Sequence, residues 1–240
     1  MLSEYIEKNR ERWLILPSGF RRLNIKWIIK FPDFIKRTIF LLAKIRWEKE
    51  RRWEYDRYSE LIKGKHVLEI GGGMGYDGMV YHKTAQSYTY AEINRLQLEF
   101  IKDAYRLIKE PCQNVFFQFL ENPFEHHFPM KYQVFFAFGV LHHIPFEEAK
   151  RQFIQIDKYL TPGAKVVMLM YPKKRWENAG RPSFENFGQF TDGGCPWAEW
   201  YDEEKIMNLV GDGYELNVAK YWGFSLSPEA EFVNFELEKK

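Results

Sequence analysis

The sequence predicts a mixed α/β fold: a mostly parallel sheet of seven strands, a C-terminal antiparallel hairpin and an N-terminal helical extension. Three observations predict it. From residue 66 onward, short apolar runs alternate with segments of helical periodicity. That alternation is the pattern of repeated βα units, with helices on both faces of a parallel sheet. At the end, two apolar runs follow one another with a turn around Pro228, which implies one antiparallel pair. Before residue 61 the apolar residues recur at helical spacing with cations between them, as in FIKRTIFLLAKIR at 34–46.

The elements are justified in order. Residues 1–60 form a helical, basic and aromatic extension, punctuated by Pro17-Ser18-Gly19 and Pro32. Residues 61–240 form the main domain. Its strands are expected at 66–70, 87–92, 114–120, 133–138 and 164–171, with the closing pair at 214–222 and 231–237. Helices are expected after Tyr76, over 94–109, over 146–160 up to Thr161-Pro162-Gly163, and over 202–210. Residues 172–200 are a polar and aromatic insert after the fifth strand.

The chain of 240 residues suits one elaborated domain. It holds eight Trp, fourteen Tyr and twenty-one Phe. No run of 18 or more apolar residues is present, so no spanning helix is expected. The opening MLSEYIEKNRERW lacks a signal-peptide pattern. Two cysteines, Cys112 and Cys195, are too few for a disulfide framework. A cytoplasmic setting is expected, with the inner face of the membrane open as a place of contact. Residues 21–52 carry eleven Lys or Arg against three acids, a net +8, which leaves the remainder at −6 within an overall +2. This basic segment has three readings: an amphipathic contact with an anionic membrane surface, a lid over an acceptor pocket, or a nucleic-acid patch. The bland reading, a cap packed on the sheet, stands beside them, and nucleic acid is the least favoured.

The stretch VLEIGGGMGYDG at 67–78 carries the chemistry. A buried-strand run breaks into glycines, which let backbone approach a ligand. The register of a P-loop is absent, because no Lys-Ser or Lys-Thr follows the glycines. The dinucleotide fingerprint needs a glycine at 76, where Tyr76 stands, and this disfavours a nicotinamide dehydrogenase. What remains is Gly71-x-Gly73-x-Gly75 preceded by Glu69. Glu92 closes the second strand twenty-one residues beyond Gly71. An acid there accepts hydrogen bonds from ribose hydroxyls. The ligand therefore has an adenosine-like ribose and no pyrophosphate.

This combination resembles the class I S-adenosylmethionine (SAM)-dependent methyltransferases, a Rossmann-like family. The resemblance runs from about residue 55 to the C-terminus. Phe138-Gly139-Val140-Leu141-His142-His143-Ile144-Pro145 is similar to the family's fourth-strand motif. Leu160-Thr161-Pro162-Gly163-Ala164 is similar to its LxPGG turn, with Ala for the second Gly. The terminal hairpin matches as well. The resemblance implies SAM as cofactor, with S-adenosylhomocysteine as product. It implies that Gly71, Gly73 and Gly75 wrap the methionine part, with Gly72, Asp77 and Ile93 beside it. The N–H groups opening the next helix would face the ligand's carboxylate. Glu69 would bond the loop backbone or the SAM ammonium, Glu92 would hold the ribose, and Phe138 would offer a backbone carbonyl. The family's acid after the third strand has no clear counterpart: Leu120 or Glu121 stands there.

For transfer to a hydroxyl a base is needed. His142 and His143, just past the fourth strand, are the candidates, with Asp192 as a second one; the alternative is that the histidines shape the loop. His126-His127 reads as a loop before the fourth strand, and no metal site is expected. In the insert, Trp176, Trp197 and Trp200 would stack on sugar rings, while Lys173, Lys174 and Arg175 would bind phosphate or carboxylate, and Tyr171 just before it would also contact the substrate. The alternative is a satellite aromatic core. The fifth strand and the TDG-bearing insert resemble bacterial methyltransferases found with polysaccharide genes. The implied function is O-methylation of a sugar in a surface glycan or its precursor. A small metabolite acceptor (quinone, lipid precursor or natural product) and a non-catalytic SAM-binding protein are the alternatives.

Overall fold

The computed structural model describes residues 4–15, 24–191, 194–223 and 231–240. Pro17-Ser18-Gly19, Asp192 and the turn around Pro228 lie outside the described residues. The class is mixed α/β, with mostly parallel strands and a C-terminal antiparallel hairpin, as the sequence predicts. No described helix is long and apolar enough to cross a membrane. The chain divides into two compact units: residues 1–12 with 121–240, and Trp13–Leu120.

Helices α1 (Glu4–Arg12), α2 (Ile25–Ile28), α3 (Asp33–Glu50) and α4 (Arg52–Leu61) precede the first strand. In the unit Trp13–Leu120, β1 (His66–Ile70), β2 (Ser87–Glu92) and β3 (Val115–Phe119) run parallel in the order β3-β2-β1. Leu68 is level with Thr89, and Thr89 with Phe116. Every residue of β2 is buried, as a parallel strand covered on both faces requires. Two of its residues are tyrosines, and their hydroxyls find partners inside. Tyr88 donates to Glu69 at 2.9 Å, and Tyr90 donates to the Gly75 carbonyl at 2.5 Å. The crossover helices are α5 (Tyr76–Tyr81) and α6 (Arg95–Ile108). Asn94 caps α6 by accepting from the Leu96 amide, and Lys109 ends it in the left-handed conformation at φ 57°. Its buried residues Leu98, Ile101 and Ala104 repeat at three-residue steps. Helix α3 packs on α6 through Phe40 and Phe100, 4.7 Å between rings, and through Lys36 and Asp103 at 2.8 Å.

In the other unit, β4 (Tyr132–Phe138) lies parallel to β5 (Leu160–Pro172). β8 (Phe232–Lys239) is antiparallel both to β5 and to β7 (Tyr214–Trp222), giving the order β4-β5-β8-β7. The fifth strand begins at Leu160, earlier than expected. Tyr132 pairs with Leu160 but Val134 pairs with Lys165, so the Thr161-Pro162-Gly163 turn bulges out within the strand, with Gly163 at φ 74°. The preceding helix α7 (Phe146–Asp157) accordingly ends three residues sooner than expected. The insert is not plain loop. It holds α8 (Lys173–Asn178), α9 (Phe184–Phe190) and an eighth, two-residue strand β6 (Trp200–Tyr201), which pairs with the end of β5. Ser183 caps α9, and Asp202 caps α10 (Glu203–Val210).

Candidate functional site

The glycine loop is held in place from beneath. Gly71, Gly73 and Gly75 have φ of 65°, 55° and 81°, a region that side chains with a Cβ rarely enter. At Gly75 a Cβ would also lie 2.6 Å from Ile101, and at Gly72 it would lie 2.5 Å from the Tyr90 ring. These two positions admit no other residue unless their neighbours move. A Cβ on Gly73 meets nothing within 4 Å, so the loop faces open space there. Gln97 donates to the Gly73 carbonyl at 2.8 Å.

Three acids surround this loop. Glu69, on β1, is buried and takes the Tyr88 hydroxyl. Burial and then the neighbouring Asp77 charge push its carboxyl well above the usual carboxylate range, against the pull of Tyr88 and Arg51. Asp77, in the first turn of α5, is also buried. Both its oxygens accept from Arg51 Nη1, at 2.9 and 2.8 Å, and Oδ1 accepts from the Tyr55 hydroxyl at 2.8 Å. Arg51 stands between α3 and α4 and also binds Glu54, which is fully buried. Glu92 ends β2. Its Oε1 accepts the amides of Ile93 (2.7 Å) and Asn94 (3.2 Å), and Oε2 takes neither. Burial pushes the Glu92 carboxyl up to about 7, with these two amide bonds opposing the rise. The Leu120 amide donates to the Glu92 carbonyl at 2.8 Å.

In the other unit, Glu121 is exposed, and its carbonyl accepts from Arg10 at 2.5 Å. Phe138 is half-buried at the end of β4. His142 and His143 lie in a 3-10 turn, Leu141–His143, and are 0% and 1% exposed. Their Nε2 atoms are 3.0 Å apart, and His143 Nδ1 lies 3.1 Å from the Trp197 carbonyl. The carbonyl can only accept, so a neutral His143 carries its proton on Nδ1. Its Nε2 is then a lone pair, and His142 donates to it from Nε2. The lone pair of a neutral His142 falls on Nδ1. The turn is anchored by Asn9, which donates to the His143 carbonyl at 2.8 Å, and by the Glu199 amide on the His142 carbonyl, also at 2.8 Å. Tyr171 stacks on His142 with ring centres 4.0 Å apart.

The insert residues mostly partner one another. The Arg175 guanidinium lies 4.2 Å from the Tyr171 ring centre and donates to the Glu231 carbonyl at 3.0 Å. Lys173 sits 4.7 Å from the Trp200 ring and 3.7 Å from Asp202. Trp176 donates to the Pro182 carbonyl, Trp197 to Glu199. Lys205 stands over Trp200, Tyr201 and Phe184 with its ammonium on Glu199 at 2.7 Å. Lys174 is exposed. His126 and His127 fall in the loop before β4, where the His126 carbonyl accepts from Gln155 and His127 meets the Tyr159 hydroxyl at 2.8 Å. Sequence reasoning missed Arg51, Tyr55 and Gln97, whose roles arise only from tertiary placement. It also missed the tyrosine floor under the glycines, for which the YTY of β2 is the only trace.

This architecture matches solved structures. A magnesium protoporphyrin IX methyltransferase from Synechocystis, solved with S-adenosylhomocysteine, is 14% identical at a TM-score of 0.61, over 97% of this chain and 94% of that one. The N-methyltransferase NodS from Bradyrhizobium japonicum, solved with the same molecule, is 13% identical at 0.59, over 80% and 87%. A SAM-dependent methyltransferase from Mesorhizobium loti is 12% identical at 0.59, over 74% and 92%. The fold is that of the class I methyltransferases. No protein-family model matches the chain, and no curated protein is similar to it in sequence. Within this fold, the glycine loop follows the C-terminal end of β1 and Glu92 is the last residue of the parallel β2, the edge where open α/β sheets bind ligands.

Proposed function

We propose that this protein is a SAM-dependent methyltransferase that O-methylates a sugar, in a surface glycan or its activated precursor. The observation that carries the methyl-transfer reading is the pairing of the open glycine loop with Glu92, on a methyltransferase fold. The residues fit the cofactor. A loop that needs glycine at 72 and 75, and faces open space at 73, suits close backbone approach by a methionine moiety. Glu92 Oε2, which takes neither of the two amides, would accept from ribose hydroxyls.

When bound, SAM supplies an electrophilic methyl on a good leaving group, so alignment is most of the catalysis. Gly71, Gly72, Gly73 and Gly75 would hold its methionine part, with Ile93 beside it. By the family resemblance, Phe138 would offer a carbonyl to its ammonium, and Leu120 or Glu121 stands at the family's acid that contacts adenine. Arg51 and Tyr55 fix Asp77, and with it the exit of the loop into α5. His142, with its lone pair on Nδ1, takes the proton of the acceptor hydroxyl, and His143 sets its tautomer. Because both rings are sealed beneath the insert, the base acts only when the insert opens. Asp192, the other base candidate, lies outside the described residues. Tyr171, Trp176 and Trp197 form the apolar wall on the acceptor side.

A second reading, transfer to a small metabolite, has its own support. Lys173 and Arg175 have partners within the protein, which leaves the exposed Lys174 for a sugar phosphate. An uncharged acceptor needs no clamp. The basic segment 21–52 fits a peripheral contact at the inner face of a membrane under either reading. Incubation with methyl-labelled SAM and cell extract tests this assignment. Label in glycan or lipid-linked sugar supports sugar methylation. Label confined to free small molecules replaces it with the second reading. SAM binding without any transfer replaces both with a non-catalytic role.

A further inference from the structure

Helix α3 has two apolar faces on opposite sides. The inner one, with Phe40 and Ala43, is buried, and Phe40 packs on Phe100 of α6. The outer one is uncovered: Phe34 is 71% exposed, Leu41 38% and Ile45 64%. Spacings of seven and four residues put these three on one line of the helix. Arg37 flanks that line on one edge and Lys49 on the other. Both are exposed, and no ion pair among the described residues holds either. In the preceding α2, Trp27 is 60% exposed as well. Two acids of α3 already have cationic partners: Asp33 has Lys36 and Arg106 at 3.0 Å each, and Glu48 has Lys44 at 3.9 Å.

A stretch of exposed apolar side chains on one helix calls for a partner, and the flanking charge selects which one. We propose that the outer face of α3 docks on an anionic lipid bilayer, with Phe34, Leu41 and Ile45 entering the acyl boundary and Arg37 and Lys49 meeting the headgroups. A second copy of the chain would bring the two cationic edges against each other. A nucleic acid would engage the cations and leave the apolar line in water. Only the bilayer satisfies both. One consequence rests on the methyl-transfer reading: an enzyme held at this surface takes a lipid-linked or surface-bound acceptor.

Flotation of the full chain with vesicles tests the docking. Phosphatidylcholine vesicles with about a quarter phosphatidylglycerol are expected to carry the protein at low salt, and pure phosphatidylcholine vesicles are not. The triple variant Phe34→Ser, Leu41→Ser, Ile45→Ser is expected to lose about tenfold or more in partition. Arg37→Glu with Lys49→Glu is expected to lose at least ~tenfold at low salt and much less at high salt. All five side chains are exposed, so unfolding temperatures stay near wild type. Failure of the wild type to float with anionic vesicles overturns the proposal, and so does unchanged flotation of both variants. A wild-type dimer that the triple Ser variant abolishes without lipid makes a second copy the occupant. Retention of wild type and triple variant alike on a polyanion column, with no flotation, makes the face a polyanion patch. SAM binding on the same samples, by calorimetry, separates failure of docking from failure of the methyl-transfer reading.

Discussion

The glycine-loop region and the histidine–insert region use their polar groups in opposite ways. Around the glycine loop, buried charges are fixed by partners from below, through Arg51 on Asp77, Tyr88 on Glu69 and backbone amides on Glu92. The upper side stays open at Gly73, and Glu92 Oε2 takes neither of the amides that hold Oε1. In the histidine–insert region, the same residue types satisfy each other. His142 bonds His143, Arg175 covers Tyr171, and Lys205 is walled in by aromatic rings and Glu199. One region is arranged to wait for a ligand, and the other is arranged to stay shut. Cofactor binding is therefore expected to be pre-organised, and acceptor binding to require rearrangement.

The sharpest way to break this contrast is to remove the support beneath the loop. Arg51→Ala strands Asp77 and Glu54 as buried carboxylates without their cation. It is expected to cost about 3–5 kcal/mol of stability in denaturant unfolding and to abolish SAM binding. A loss below about 1 kcal/mol would mean that water reaches the pair, and that the loop is not held from below.

In the closed region the corresponding change is His142→Ala. If His142 is the base, methyl transfer falls by about 10²–10⁴ while SAM affinity holds. Full transfer rates in both His142→Ala and His143→Ala would leave the histidines as packing elements of the turn.

Gly75→Ala combines a positive φ with a clash against Ile101. It is expected to cost about 1–3 kcal/mol and to weaken SAM binding in proportion. Gly73→Ala, with open space around it, is expected to cost the fold less and ligand binding as much.

The smallest effect is a pH dependence. Burial raises the Glu92 carboxyl from 4.5 to about 7, so its ionised form is disfavoured in the free protein. Its contribution to stability is present below pH 4.5 and is lost as pH rises through about 7. Ribose hydroxyls donate to the ionised form, so SAM affinity is expected to rise by up to about tenfold per pH unit below 7 and to level off above it. Glu92→Gln should flatten that slope in calorimetry between pH 6 and about 8. A slope that persists in Glu92→Gln assigns it to another group.

Much of the open region was legible in sequence because its signals are local. An apolar run, a glycine spacing and an acid twenty-one residues on all lie along one βαβ unit. The supports were not legible. Arg51 reads as one more cation in a basic helical segment, and nothing in the chain between it and Asp77 marks them as partners. The closed region was legible in fold but ambiguous in use. Tryptophans near lysines suit a sugar platform and a self-packed core equally, and only side-chain geometry decides. The pairing of the two histidine rings was hidden for the same reason. The two-residue β6 is too short for any period, and the early start of β5 was masked by a Thr-Pro-Gly turn that normally ends an element.

The buried acids around the loop have one more consequence on the methyl-transfer reading. Asp77 and Glu92 both act electrostatically on Glu69, with Arg51 as the counter-charge. The cofactor brings a sulfonium and departs without it. The attraction of this site therefore changes during turnover, strong for the incoming molecule and weaker for the spent one. Product inhibition is eased by the same arrangement that aids capture. Burial and then the Asp77 charge raise the Glu69 carboxyl, and a cation beside it would act in the opposite sense.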